Sequence, residues 1–310
     1  MRKKTITGIR RASIFSPNHT GNDAAIFAGT ADYLREKGYE VTVCTEQSFL
    51  SMQERPERVF TMLRNRQAIR RLQRWETEGC KSVNSAYGIE NAGRERMTEL
   101  FTANNIPQPD SIIVNTDDRV VQLLEERKYP SCWLKRGDFH ALHREDVTYA
   151  RHPADVQEML SEYALRGIER VVINEHLDGD LAKFYGVAGS SFFYWFYPFE
   201  NSHSKFGLER INGEIRGIPF REDELRYICL NAANVLKLVV YGGDCIISPD
   251  GGIRIIDFND WPSFAPCRRE AIPAIGDMII KHTGESPDES PTADDTITKH
   301  TSRGRRGASK

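Results

Sequence analysis

Short apolar runs alternate with stretches of helical periodicity along most of the chain, which predicts a mixed α/β protein. Residues 11–15 read as a strand and residues 23–37 as a helix bearing Ala24, Ile26, Phe27, Tyr33 and Leu34. Gly38 ends that helix, and residues 40–44 form the next strand. This order predicts a parallel α/β unit. Residues 55–74 read as a helix and 81–84 as a strand. Strands at 109–114 and 130–135 flank a helix at 117–127, and a helix at 153–166 leads to a strand at 171–174. Lys183 opens a further strand, and SSFFYWFYPF at 190–199 reads as a strand buried on both faces. A polar loop at 201–217, a helix at 222–238 and a hairpin follow. The last helix, at 267–282, carries Ile272, Ile275, Met278 and Ile279 on one stripe. Beyond Gly284 the composition cannot build a core and disorder is expected. There is no internal repeat.

The hairpin holds the densest chemistry. Two apolar runs, 245–248 and 253–258, are joined by a Pro-Asp-Gly-Gly turn, and the antiparallel register that follows places Ser248 opposite Ile253 and Asp244 opposite Asp257. Facing carboxylates repel, and Asp257 lies within the apolar run IIDF, where an unpaired charge is costly. Something positive is therefore expected between them. Asn259, two residues on, projects from the same face as Asp257. Two carboxylates and an amide oxygen are hard ligands that suit Mg2+, with Mn2+ as a substitute. A surface hairpin with acidic residues near its tip is the competing reading.

Composition narrows the function classes. With 42 Lys and Arg against 44 Asp and Glu, the net charge of -2 excludes a whole-molecule electrostatic grip on nucleic acid. Six cysteines without CxxC spacing read as reduced thiols of a cytoplasmic protein. No apolar run is long enough to span a bilayer, and the basic start MRKKTITGIRR lacks the apolar segment of a signal peptide. The stretch 55–74 holds Arg55, Arg58, Arg64, Arg66, Arg70, Arg71 and Arg74 against Glu54 and Glu57; it reads either as a surface for an acidic or phosphorylated substrate or as a solvated face. The loop SPNHTGND offers Ser16, Asn18 and Thr20 to an anion, or is an ordinary capped turn.

A strand carrying Asp244, a turn, and a strand ending in acidic-x-Asn followed by Pro262 resembles the metal-binding end of the ATP-grasp superfamily, which includes D-alanine ligase, glutathione synthetase and the ribosomal-protein glutamate ligases. Most members have Glu where this chain has Asp257; the shorter side chain would bind one cation less bidentately, which bears on a second metal and not on the first. The resemblance extends to NSAYGIENAGRERMTELFTANNIPQP, where Arg94, with Arg96 close by, takes the place of a phosphate-touching Lys. In YPSCWLKRGD, Lys135 matches the lysine that bridges the α- and β-phosphates. The loop RGDFHALHRED departs from the usual glycine- and serine-rich phosphate cover and offers His140 and His143 instead. In EHLDGDLAKFYGVAG the resemblance makes Glu175, His176 and Leu177 the adenine edge, Asp180 the ribose acid and Lys183 a phosphate contact. Trp195 or Tyr197 would border the nucleotide or simply pack, and Ser263, Arg268 and Arg269 would hold an acceptor's anionic groups.

The resemblance implies an α/β (α+β) ATP-grasp fold. Residues 1–90 would form an N-terminal α/β unit, 91–180 a lid carrying Lys135, 181–283 a C-terminal unit of mainly antiparallel sheet carrying the metal ligands Asp244, Asp257 and Asn259, and 284–310 a disordered tail. It also implies ATP and Mg2+, with Lys135, Lys183 and Arg94 in catalytic roles. The expected activity is ligation of a small-molecule carboxylate to an amine or thiol through an acylphosphate. A kinase for a polyol such as an inositol phosphate, and a non-catalytic ATP-binding protein, are the alternatives. No membrane partner is expected, and a homodimer is compatible with the sequence.

Overall fold

The computed structural model describes residues 4–17, 20–137, 144–198 and 211–284. The N-terminal unit comprises β1 (Thr5–Arg10), α1 (Thr20–Glu36), β2 (Glu40–Thr45), α2 (Glu46–Leu50), β3 (Arg58–Thr61), α3 (Arg66–Thr77) and β4 (Lys81–Val83). Its strands form a parallel sheet in the order β2-β1-β3-β4. Two expectations are corrected here. The first strand is Thr5–Arg10, and Ser13–Phe15 is a single 3-10 turn with Ile14 71 % exposed; the run ASIF loses to TITGIR, whose Ile6 and Ile9 are buried. The basic stretch is not one helix. Its apolar residues Val59 and Phe60 enter the sheet, and the helix starts only after Asn65, whose side chain accepts the N–H groups of Gln67 and Ala68.

Two helices follow, α4 (Ala86–Asn91) and α5 (Arg94–Ala103). The middle unit holds β5 (Ser111–Asn115), α6 (Val121–Glu126), β6 (Cys132–Arg136), β7 (Val147–Ala150), α7 (Val156–Leu165) and β8 (Arg170–Glu175). Its antiparallel sheet runs β5-β8-β6-β7 and closes a core of its own around Leu124, Leu134, Leu160, Tyr163 and Ile173.

The C-terminal unit contains β9 (Asp180–Val187), β10 (Phe193–Phe196), α8 (Glu222–Leu236), β11 (Val240–Ile247), β12 (Ile253–Asp260) and α9 (Arg268–Thr283), with an antiparallel sheet in the order β10-β9-β11-β12. Met97 and Phe101 of α5 pack into this sheet's core with Leu225, Ala232 and Leu236 of α8. A second core runs from Ile6, Ile26 and Phe60 to Val240, Trp261 and Ile275, so the N-terminal and C-terminal units share their packing. The aromatic run at 190–199 contributes an edge strand, not one buried on both faces, and Phe193, Tyr194 and Trp195 are half-buried. The polar loop expected at 201–217 and the tail beyond Gly284 lie largely or wholly outside the described residues.

The hairpin register is corrected at its tip. Asp244 pairs with Asp257 as expected, but Ile247, not Ser248, faces Ile253. The register shifts between Asp244 and Cys245, where Cys245 pairs with Ile255, so Ile256 is the extra residue of a β-bulge. At the turn, Gly251 adopts φ +81° and its N–H bonds the Ser248 carbonyl.

Candidate active site

A cavity of about 410 Å³ opens between the three units. Sequence order explains how its walls assemble. Asp244 lies midway along β11, with Asp257 opposite on β12 and Lys183 opposite on β9. Lys183 Nζ donates to Asp244 Oδ1 at 3.0 Å. Arg94, the first residue of α5, donates from Nη2 to Asp257 Oδ1 at 3.1 Å and from Nη1 to the Arg136 carbonyl of the middle sheet at 3.5 Å. The repulsion expected between the two carboxylates is thus relieved by a separate cation on each. Asn259 shares the face of Asp257 and donates from Nδ2 to its Oδ2 at 3.2 Å.

Lys135 comes from β6 of the middle unit and crosses to the hairpin, where Nζ donates to the carbonyl of the bulged residue Ile256 at 2.7 Å. A bulge leaves its extra residue outside the ladder, and here that residue's carbonyl receives the ammonium. Burial pulls the Lys135 pKa down to about 8, and the Arg94 guanidinium pulls the same way against the weaker pull of Asp257 and Asp244.

At the end of β8 and just beyond it, Glu175, His176 and Leu177 all line the cavity. The N–H groups of Glu175 and His176 are already spent on the carbonyls of Asp110 and Ser131. His176 Nδ1 accepts from Trp133 Nε1 at 3.0 Å, and burial lowers the histidine's pKa, so the neutral ring acts as acceptor. Trp133, Tyr149 and His176 form an aromatic group with ring centroids 5.0 to 6.1 Å apart.

Asp180 is not brought to this cavity. It begins β9 with its side chain wholly buried, and its two oxygens accept the N–H groups of Arg216 and Ile218 at 2.8 Å each, so the carboxylate fixes a loop and is closed to a ribose. Arg96 lines a second cavity and pairs with Glu99 on its own helix. Arg268 bonds Asn22, and neither it nor Arg269 reaches the cavity wall, whereas Ser263 does. Trp195 and Tyr197 pack against the C-terminal core. Ser16 lines the cavity, while Thr20 turns back to the Ser16 and Pro17 carbonyls. Asn18, His140 and His143 lie outside the described residues.

The sequence reading missed Arg11, Asp23, Asp260 and Trp133 and named Arg64 only as one of a basic stretch; all five line the cavity. Asp260 was visible as the second acid of DFND, and Arg64 was hidden within the basic stretch.

Chemically, two opposed carboxylates and an amide on one face of a hairpin fit a hard divalent cation. Asn259 would present its oxygen by an amide turn that releases Asp257 Oδ2. Among the described residues no group of three His, Cys, Asp or Glu is arranged to hold a metal ion, so water and phosphate oxygens must complete the shell. The three cations Lys135, Lys183 and Arg94 line the same cavity and can meet a polyphosphate.

No protein-family model matches the chain, and no curated protein matches it. Solved structures do. The D-alanine--D-alanine ligase from Bacillus anthracis complexed with ATP superposes with a TM-score of 0.64 at 13% identity, covering 90% of this chain and 97% of that one. The D-cycloserine synthetase DcsG gives 0.60 at 13% identity over 89% and 99%. The ATP-grasp ligase PsnB, complexed with a precursor variant, Mg and ADP, gives 0.59 at 15% identity over 91% and 99%. One parallel and two antiparallel sheets in this order, superposable on these enzymes over nearly their whole length, give the chain the ATP-grasp fold.

Proposed function

We propose that this protein is an ATP- and Mg2+-dependent ligase that joins a carboxylate to an amine or thiol through an acylphosphate. One observation carries the reading. Lys135 from the middle sheet, Arg94 from α5, and Lys183, Asp244, Asp257 and Asn259 from the C-terminal sheet converge on one cavity that also includes the linker Glu175 to Leu177. The triphosphate would be held by Lys135, Lys183 and Arg94. Trp133, His176 and Leu177 would hold the base; the N–H groups of Glu175 and His176 are spent. Mg2+ held by Asp244, Asp257 and Asn259, with Mn2+ as a substitute, would neutralise charge developing on the phosphates.

The substrate carboxylate oxygen forms a bond to the γ-phosphorus as the bond to the β-bridging oxygen breaks, and ADP leaves. The amine nitrogen or thiol sulfur then attacks the acyl carbon, the carbon–oxygen bond to phosphate breaks, and the nucleophile's proton passes to solvent. Lys135 and Arg94 would hold the phosphate oxygens through both steps and offset the charge that develops there. No side-chain nucleophile is needed, and all six cysteines are free, five of them buried. The basic stretch that favoured a polyanion kinase is divided in the fold: Arg64 is buried against Asp260 and Arg71 stacks on Trp75.

The test is ADP release, with mass spectrometry of the product. A new amide or thioester with ADP supports the ligase; a phosphomonoester would make it a kinase, and ATP binding without release a non-catalytic protein. Asp257→Asn is expected to keep the far-ultraviolet circular dichroism spectrum and lower Mg2+-dependent ADP release by about 100-fold or more, the scale of losing one preorganised transition-state contact. Unchanged release would remove the metal assignment.

A further inference from the structure

The basic stretch of the sequence is only partly absorbed by the cavity that holds the carboxylates. Arg64 is buried against Asp260 and Arg71 stacks on Trp75, but Arg66 and Arg70 have another setting. They are exposed, four residues apart on α3, and line a second cavity of about 350 Å³ between α3, α4, the start of α5 and Gly137 of the middle unit. Arg96 of α5 lines it too. Among the described residues Arg64 alone borders both cavities.

Helix stability does not explain these arginines. Like charges four apart on a helix repel, and cations at a helix N-terminus oppose its dipole. α3 has no acid in its first turn to offset either effect. Its start is nevertheless anchored: the Asn65 side chain caps it, Glu46 Oε2 accepts the Asn65 N–H at 2.7 Å, and Leu72 and Trp75 hold the helix in the core. The acids around the cavity are engaged as well. Glu95 takes the Arg170 guanidinium at 2.6 Å, Glu99 pairs with Arg96 at 3.3 Å, and Glu90 accepts from the Gln73 amide at 2.9 Å. Arg70 makes no hydrogen bond or ion pair among the described residues. The Arg96–Glu99 pair is half exposed, so solvent screens it and Arg96 can turn to another anion at little loss.

The lining selects a ligand. Several guanidinium groups around one cavity are best matched by a group with several acceptor oxygens. A phosphate monoester offers three terminal oxygens and close to two charges, whereas a carboxylate fills a single fork. Glu90 disfavours a second anionic group and can accept hydroxyl hydrogens, and Ile69 and Ile89 add buried apolar surface. The volume is more than inorganic phosphate fills and is in the range of small-molecule sites. We propose that this second cavity binds a small hydroxylated phosphate ester of sugar-phosphate type, its phosphate on Arg66, Arg70 and Arg96 and its hydroxyl groups toward Glu90. The site is separate from the nucleotide cavity and does not depend on the ligase reading.

The experiment is calorimetric titration of the full chain, with and without excess ADP and Mg2+, using glycerol phosphate, ribose phosphate and glucose phosphate, the same compounds without phosphate, and inorganic phosphate. At least one ester should bind with a Kd below about 1 mM. Removing its phosphate should abolish binding, and inorganic phosphate should bind about tenfold more weakly than the ester. Arg70→Gln and Arg96→Gln should each weaken the ester about tenfold, the scale of one charge-assisted contact, with the Kd for ADP unchanged. Arg70→Gln also removes a like-charge neighbour, so its Tm should equal or exceed that of wild type and weaker binding cannot come from unfolding. The proposal is overturned if no ester binds below about 1 mM, if the phosphate-free compound or inorganic phosphate binds as tightly, or if Arg70→Gln binds like wild type. Loss of the ester when ADP is present would place it in the nucleotide cavity and overturn the proposal too. A chain that binds the ester but neither binds nor turns over ATP removes the ligase reading and leaves this inference standing.

Discussion

Lys135 is 7% exposed and has Arg94 for a neighbour, which together bring its pKa down to about 8. The ammonium is therefore held in a place that does not favour its charge, and a triphosphate supplies the missing anion. Below pH 8 the lysine is protonated before binding and the contact forms at full strength. Above pH 8 the free site loses the proton, binding must take one up, and the apparent Kd for ATP should rise, approaching a factor of ten per pH unit until the pKa of the bound state is reached. Calorimetric titration of wild type between pH 7 and 9.5 would show this rise together with proton uptake. Lys135→Ala should lose the pH dependence and bind about tenfold more weakly at pH 7. The position of this lysine was legible because it ends the apolar run CWL, which a strand must carry to an edge. Asp180 was misread because its partners, the N–H groups of Arg216 and Ile218, are more than 30 residues away in sequence. Local composition gives no sign of such a contact.

At the scale of the element, the hairpin brings its ligands together only because β11 carries no side chain where the strands press closest. A Cβ on Gly243 would lie 2.2 Å from the Asp257 carbonyl oxygen and 2.7 Å from Phe184 Cζ. Backbone cannot yield as a flexible side chain does, so Gly243→Ala should push β12 away from β11 just beside the Asp244–Asp257 pair. The expected cost is about 2 kcal/mol or more in urea unfolding, with a loss of ADP release larger than the stability change explains. A variant as stable as wild type would show that the strands part freely. The hairpin itself was written in its Pro-Asp-Gly-Gly turn and flanking apolar runs. Its bulge was not, because Ile256 leaves the ladder where Lys135, 121 residues earlier, arrives to bond its carbonyl. Likewise the FFYWF run announced burial but not that β10 would take a sheet edge, which depends on what packs beside it.

For the whole molecule, the resemblance to ATP-grasp proteins implied a parallel α/β unit followed by mainly antiparallel sheet, and one parallel and two antiparallel sheets are present. The packing of α5 was harder to foresee, since Met97 and Phe101 join the C-terminal core rather than that of the middle sheet that follows them. The middle sheet keeps a separate core and meets the rest of the chain through polar contacts such as Lys135 with Ile256 and the Arg170 guanidinium with Glu95 at 2.6 Å. The junction between the N-terminal and C-terminal units is of another kind. Asn84, wholly buried, accepts the N–H groups of Val239 and Val240 at 2.8 Å each and donates to the Val240 carbonyl at 2.7 Å. Its amide acts as a short length of strand that carries the hydrogen bonding of one unit into the other. Asn84→Ala removes all three bonds and strands two N–H groups where water cannot replace the partner, at about 1–3 kcal/mol each. In a chain of this size that should lower the Tm by about 6 °C or more, read by differential scanning fluorimetry. Because β11 leads from this junction to Asp244, the same variant should bind ATP more weakly at temperatures well below its Tm. A Tm within about a degree of wild type would mean that the apolar core shared by Phe60, Trp261 and Ile275 holds the two units in register unaided.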